Sequence, residues 1–208
     1  MKLQVAIDRV PLKTGICLAK QLDGIVDVVE IGTSLIKDYG LQTFKEENFR
    51  LEKSKLLLDL KTIDEGRYEF QKGFETSADI LTVMGASSID TVAETYSVTK
   101  KEKKSMFIDL IETKNEKINQ LSKYKDAIFG IHHSLDSKEN FDALGSLARF
   151  QERHPELKKI AVSGGIDVSQ ATKIAQQGIA GTVIVGSKIT KANDPVSKAL
   201  EFMKVIHI

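Results

Sequence analysis

The fold turns on the stretch Lys55-Leu56-Leu57-Leu58-Asp59-Leu60-Lys61-Thr62-Ile63-Asp64. Its apolar run is near-continuous, not alternating, which is the pattern of a strand covered on both faces and so of a parallel sheet. The run ends in charged residues, Asp59, Lys61 and Asp64. A buried strand with a charged tip is the unit from which an α/β active site is built.

Seven further runs have this form: Leu3–Ile7, Val26–Ile31, Ile80–Met84, Ser105–Leu110, Ala127–Ile131, Lys159–Val162 and Thr182–Val185. Between them lie amphipathic stretches with apolar residues at three- and four-residue spacing: Lys13–Leu22, Gly66–Thr76, Ile89–Lys101, Lys114–Lys123, Phe141–Arg153 and Val168–Gln177. Ser88, Asp167 and the Asp194-Pro195 pair are start signals for helices, and Gly178 suits a helix end. Eight βα units predict an α/β fold, a single-domain (β/α)8 TIM barrel of minimal size spanning residues 1–208. The 208 residues leave about 26 per unit, near the lower limit of about 200 residues for this fold. An open doubly wound sheet is the runner-up, but it would leave strand edges that a barrel closes.

Composition narrows the function classes. With 30 basic and 29 acidic residues the net charge is +1, so the basic footprint of a nucleic-acid binder is absent. No apolar run approaches the roughly 18–20 residues of a membrane span, and the Met1–Val10 segment is charged too early for a signal peptide. The single cysteine, Cys17, sits among apolar neighbours in a helical stretch and is expected in the core. A chain with no possible internal disulfide fits a reducing, cytoplasmic setting.

In a barrel the chemistry gathers at the C-terminal strand ends. The first run is followed by Asp8, the second carries Glu30, the third brings Asp59, Lys61 and Asp64, the fifth contains Asp109, and the sixth is followed by His132-His133. The fourth ends without a charged group at Thr82-Val83-Met84-Gly85. One such acid is ordinarily a helix cap. Five ionisable strand ends converging on one mouth are costly to bury without a ligand or metal. Residues two apart in a strand face one side, so Asp59 and Lys61 both point into the mouth, with Asp64 beyond them on the loop. Glu30 on the adjacent strand joins Asp59. Two neighbouring carboxylates call for a cation, and all-oxygen ligation suits Mg²⁺. Ser163-Gly164-Gly165 and Gly186-Ser187 end the seventh and eighth runs, where small residues let backbone N–H groups approach a phosphate. Lys188 adds a charge nearby. His132 is favoured over His133 as a proton-moving group because it continues its strand; an imidazole titrates in the range this task needs. His154 and His207 are expected in solvent, the Lys100–Lys104 run at a solvated helix end, and Arg67 and Glu69 in local caps or pairs.

Three segments carry a family likeness: Val28-Val29-Glu30-Ile31-Gly32-Thr33, Asp59-Leu60-Lys61-Thr62-Ile63-Asp64 and Ser163-Gly164-Gly165-Ile166. Together they resemble the orotidine monophosphate decarboxylase superfamily over nearly the whole chain. Its 3-hexulose-6-phosphate synthases are nearest and its 3-keto-L-gulonate-6-phosphate decarboxylases next. The resemblance implies a homodimer with composite active sites, Mg²⁺ on Glu30 and Asp59, and an enediolate intermediate stabilised by Lys61. Asp8 would bind substrate hydroxyls and Asp64 would reach into the partner's site. The backbone around Gly164, Gly165, Gly186 and Ser187 would hold the sugar phosphate. Asp109 and Asp64 are assigned from their positions to orient His132 and Lys61, respectively. Asp109 in the fifth run, Met84-Gly85 and the apolar Leu135 favour the synthase branch, where formaldehyde and a sugar phosphate are the substrates. The decarboxylase branch carries Glu and Arg at the positions of Asp109 and Leu135. It is the main alternative, and a non-catalytic sugar-phosphate-binding barrel is another.

Overall fold

The computed structural model describes residues 1–47, 49–133 and 142–207. Its strands are β1 (Lys2–Ile7), β2 (Val28–Ile31), β3 (Lys55–Thr62), β4 (Ile80–Met84), β5 (Ser105–Asp109), β6 (Ile128–His132), β7 (Ile160–Ser163) and β8 (Thr182–Val185). They pair in sequence order, all parallel, and β8 pairs with β1 to close the barrel. The helices are α1 (Leu12–Leu22), α2 (Thr33–Glu46), α3 (Gly66–Phe74), α4 (Ile89–Lys101), α5 (Asn115–Leu121), α6 (Ala143–Arg153), α7 (Val168–Gln177), α8 (Ser187–Thr190) and α9 (Pro195–Ile206). The chain is a single (β/α)8 barrel. Among the described residues no helix is long and apolar enough to cross a membrane.

Two apolar cores hold it. The larger one packs the outward faces of the strands, such as Leu3, Val5, Val29, Leu56 and Leu58, against helix residues such as Leu18, Leu35, Phe70 and Leu147. The smaller one fills the barrel interior with Val28, Leu57, Ile80, Phe107 and Ala161, backed by Ile128 and Ile184. Strand alternation explains the division: inward and outward residues follow one another along each strand, and both faces are covered. At Gly130 a side chain would collide with the Phe107 ring, so the glycine makes room for that interior plug.

Helix ends follow their sequence signals. Ser88 accepts the Thr91 N–H at the start of α4, Asp167 and Gln170 form a reciprocal capping box on α7, and Asp194 accepts the Ser197 N–H on α9. Gly178 ends α7 with φ 71°, a left-handed conformation that suits glycine.

Three expectations are corrected. Helix α2 has no counterpart among the amphipathic stretches, because Gly40 interrupts it at φ 74° and only Leu35 and Phe44 are buried on it. Cys17 is exposed, on the outer side of α1, so its apolar neighbours face the core without it. His154 is buried, 2% exposed, and stacks on Phe150 with ring centroids 5.0 Å apart; burial lowers its pKa.

Candidate active site

A cavity of about 470 Å³ opens at the C-terminal ends of the strands. Asp8, Glu30, Asp59, Lys61, Asp109, His132, Ser163, Gly164, Gly165, Gly186 and Ser187 all line it. Asp64 does not: it is exposed on the loop after β3, where its carboxylate accepts the Glu65 N–H at 2.8 Å. Segment 134–141, including Ser134, Leu135 and Asp136, lies outside the described residues.

The centre of the site is a chain of charges across three strands. Lys61 Nζ lies 3.3 Å from Asp59 Oδ2 and makes a short ion pair with Asp109 Oδ2. His132 Nδ1 lies 2.9 Å from the same Asp109 oxygen. Asp109 Oδ1 accepts the Ile111 N–H at 2.9 Å, which fixes the carboxylate at the tip of β5. Within the chain, Asp109 is the hydrogen-bond partner of His132, and Asp59 and Asp109 are the carboxylates paired with Lys61.

A bulge in β3 departs from simple alternation. The β3–β4 register shifts between Leu58 and Thr62, and Lys61 adopts φ 49°. A non-glycine residue held there stores on the order of 1–3 kcal/mol of strain, a common feature of functional sites. Asp59 and Lys61 do face the cavity together, but the bulge, not an undisturbed two-residue period, brings Lys61 there.

Electrostatics follow from the geometry. Burial opposes charge on Lys61, but Asp59 and Asp109 outweigh it and hold the ammonium well above the ordinary lysine range. Burial also pushes Asp109 up, yet His132 and Lys61 bring it down to about 2. Glu30 moves the other way: burial, reinforced by the negative charge of Asp59, raises it to about 8 despite a 2.6 Å hydrogen bond from Gln4 Nε2. Glu30 thus resists ionising in this pocket. Among the described residues, no group of three or more His, Cys, Asp or Glu side chains is spaced to hold a metal on its own. Glu30 and Asp59 are an all-oxygen pair short of positive charge, which fits a hard cation whose remaining ligands are water or substrate oxygens.

The rest of the cavity is lined by polar side chains and glycine turns. Asp8 accepts the Ser34 hydroxyl at 2.8 Å. A side chain at Gly32 would strike the Asp8 carboxylate, so the glycine between Glu30 and Thr33 exists to admit Asp8. After β7, Gly164 and Gly165 take φ 133° and 66°, and nothing lies within 4 Å of the space a Gly165 side chain would fill. Lys188 and Lys191 line the same cavity.

Several lining residues escaped the sequence reading. Gln4, Thr33, Ser34, Thr82 and Arg9 are uncharged or lie off the strand tips, so a search for strand-end charges passes over them. For Gln4 a signal existed: it is polar within an apolar run and shares strand parity with Asp8.

A parallel eight-stranded barrel with carboxylates and a paired lysine at its mouth and glycine turns after β7 and β8 has the arrangement in which (β/α)8 enzymes place their active sites. Residues 1–202 match the Orotidine 5'-phosphate decarboxylase / HUMPS family, and the chain belongs to that family. It is 34% identical over 214 residues to a 3-hexulose-6-phosphate synthase of Bacillus subtilis (strain 168), covering 99% of both chains. It superposes on a crystal structure of 3-hexulose-6-phosphate synthase with a TM-score of 0.88 at 30% identity, covering 99% of this chain and 100% of the other. A 3-keto-L-gulonate-6-phosphate decarboxylase from Vibrio cholerae O1 biovar El Tor superposes with a TM-score of 0.84 at 22% identity, covering 99% and 97%, which shows the shared fold.

Proposed function

We propose that this chain is a 3-hexulose-6-phosphate synthase: an aldolase that joins formaldehyde to C1 of D-ribulose 5-phosphate, and catalyses the reverse cleavage. The observation that carries the reading is the Asp59–Lys61–Asp109–His132 chain, which brings the Lys61 ammonium and the His132 imidazole onto one Asp109 oxygen in one cavity. The identity to relatives bearing that name supports the substrate class.

The residues divide the work. Asp109 accepts the Nδ1 proton of His132 and so leaves a lone pair on Nε2, which takes the C1 proton of the ketose. The enediolate left behind gains negative charge next to the Lys61 ammonium, which is already in place and needs no reorganisation. C1 of the enediolate then attacks the formaldehyde carbon. The carbonyl oxygen becomes an alkoxide and recovers the proton from His132 Nε2. Asp8 accepts hydrogen bonds from substrate hydroxyls, and the Ser163–Gly165 and Gly186–Ser187 turns hold the phosphate. Mg²⁺, held by Glu30 and Asp59, supplies Lewis-acid stabilisation of the ketose oxygens when bound. The enzyme works as a homodimer in which Asp64 completes the partner's site; the exposed Ile63 and Tyr68 beside it offer apolar surface for that contact.

The test is product identification. The chain, ribulose 5-phosphate, ¹³C-formaldehyde and Mg²⁺ should give a hexulose phosphate with a new ¹³C–C bond by NMR, and excess chelator should abolish it. A chain that leaves labelled formaldehyde untouched would refute the reading, and product formed undiminished in chelator would refute the metal.

A further inference from the structure

The fourth strand, which ends without a charged group, contributes the residue on which the charged ones depend. Thr82 is 2% exposed, and its hydroxyl has two partners in the site. It donates to Asp59 Oδ1 at 2.7 Å and accepts the backbone N–H of Lys61 at 2.9 Å. The second bond matters because of the bulge. Where the β3–β4 register shifts, Lys61 leaves the regular ladder at φ 49°, and its part-buried N–H needs another acceptor. The Thr82 hydroxyl is that acceptor. On the far side of the Asp59 carboxylate, Oδ2 accepts the Thr33 hydroxyl at 2.6 Å and faces Lys61 Nζ at 3.3 Å.

We propose that Thr82 is a positioning residue of this site: one hydroxyl orients the Asp59 carboxylate and pins the backbone that aims Lys61. Its catalytic consequence rests on the function proposed above, while the hydrogen-bonding role does not. Valine keeps the branched shape but neither donates nor accepts, so it would free one oxygen of Asp59 and leave the part-buried Lys61 N–H without this partner. Serine keeps the hydroxyl.

The experiment compares wild type, Thr82→Val and Thr82→Ser in three readouts. For Thr82→Val, kcat per folded chain should fall roughly 10–100-fold with the KM for ribulose 5-phosphate little changed, and Mn²⁺ affinity should weaken by a similar factor. Thr82→Ser should return both to within about threefold of wild type, since it restores the orienting bonds. In wild type, NMR should show the Lys61 amide exchanging as slowly as its neighbours in β3. A folded Thr82→Val with wild-type kcat and Mn²⁺ affinity overturns the proposal, as does a fast-exchanging Lys61 amide. If Thr82→Val fails to fold, the Lys61 amide in wild type decides. If wild type forms no hexulose phosphate, the proposed function falls, and Mn²⁺ affinity with amide protection still decides the role of Thr82.

Discussion

Glu30 is caught between two demands: burial beside Asp59 favours its neutral form, and the proposed Mg²⁺ would require its charged form. Its folded-state pKa of about 8 lies above the ordinary 4.5, so the folded chain holds this proton more tightly than the unfolded chain does. The stabilising contribution is therefore complete below about pH 4.5 and is lost as pH rises toward 8. In excess chelator, Tm should fall between pH 5 and pH 8 more for wild type than for Glu30→Gln. The difference should be at least ~1 kcal/mol, roughly 2–4 °C for a chain of this size. Saturating Mg²⁺ should raise the wild-type Tm most at the alkaline end, because binding displaces the proton. Identical pH slopes for the two proteins would contradict the account. At this scale the charged residues were legible in the sequence because strand tips in a barrel share one mouth. Gln4, Thr33 and Thr82 were not, because an uncharged side chain reveals its role only through the partner it meets.

The elements separate function from stability by the end of the barrel they occupy. At the N-terminal face, Asp23 closes α1 and its carboxylate accepts the backbone N–H groups of Glu52 at 2.8 Å, Lys53 at 3.0 Å and Ser54 at 2.7 Å, tying the start of β3 to α1. Asp23→Ala should cost about 1–3 kcal/mol in chemical denaturation, since charged hydrogen bonds are lost and the part-buried Ser54 amide is left unpaired. It should leave kcat within about twofold of wild type, because the chemistry lies at the other face. A large loss of kcat in the folded variant would show that the two faces are coupled. Most elements follow from the periodic apolar runs and cap residues, and α4 and α7 match their expected bounds. What the periodicity hid has a physical cause in each case. Gly40 breaks α2 into pieces too short to show a face, and the bulge in β3 carries the strand to Thr62, past the apolar run that announced it.

For the whole molecule, the placement of Asp64 is the informative feature. Of the charged residues in the Asp59–Asp64 segment, Asp64 alone does not line the cavity of its own chain; it is exposed, next to Ile63, 56% exposed, and near Tyr68 in sequence, 59% exposed. In a two-fold dimer with composite sites, Lys61→Ala and Asp64→Ala chains should each be nearly inactive. Co-expressed, they should recover roughly a quarter of wild-type activity, because half of randomly assembled dimers are mixed and each mixed dimer has one native site. Recovery no greater than the sum of the two separate variants would contradict shared sites, and an active monomer by sedimentation would remove the dimer altogether.

The central claim is that this site makes a carbon–carbon bond with a small neutral electrophile, not that it releases CO₂ from a related sugar acid. Both reactions pass through an enediolate, so fold and charge network serve either one, and the choice lies in what meets the enediolate. The family resemblance makes the apolar Leu135 a position that separates the two branches; it lies outside the described residues, while Asp109 stands at the tip of β5. The direct measurement is kcat/KM for ribulose 5-phosphate with formaldehyde beside kcat/KM for 3-keto-L-gulonate 6-phosphate, on the same preparation with Mg²⁺. The account predicts a preference for the aldol reaction of tenfold or more, about 1.4 kcal/mol of transition-state discrimination; a preference for the keto-gulonate would contradict it.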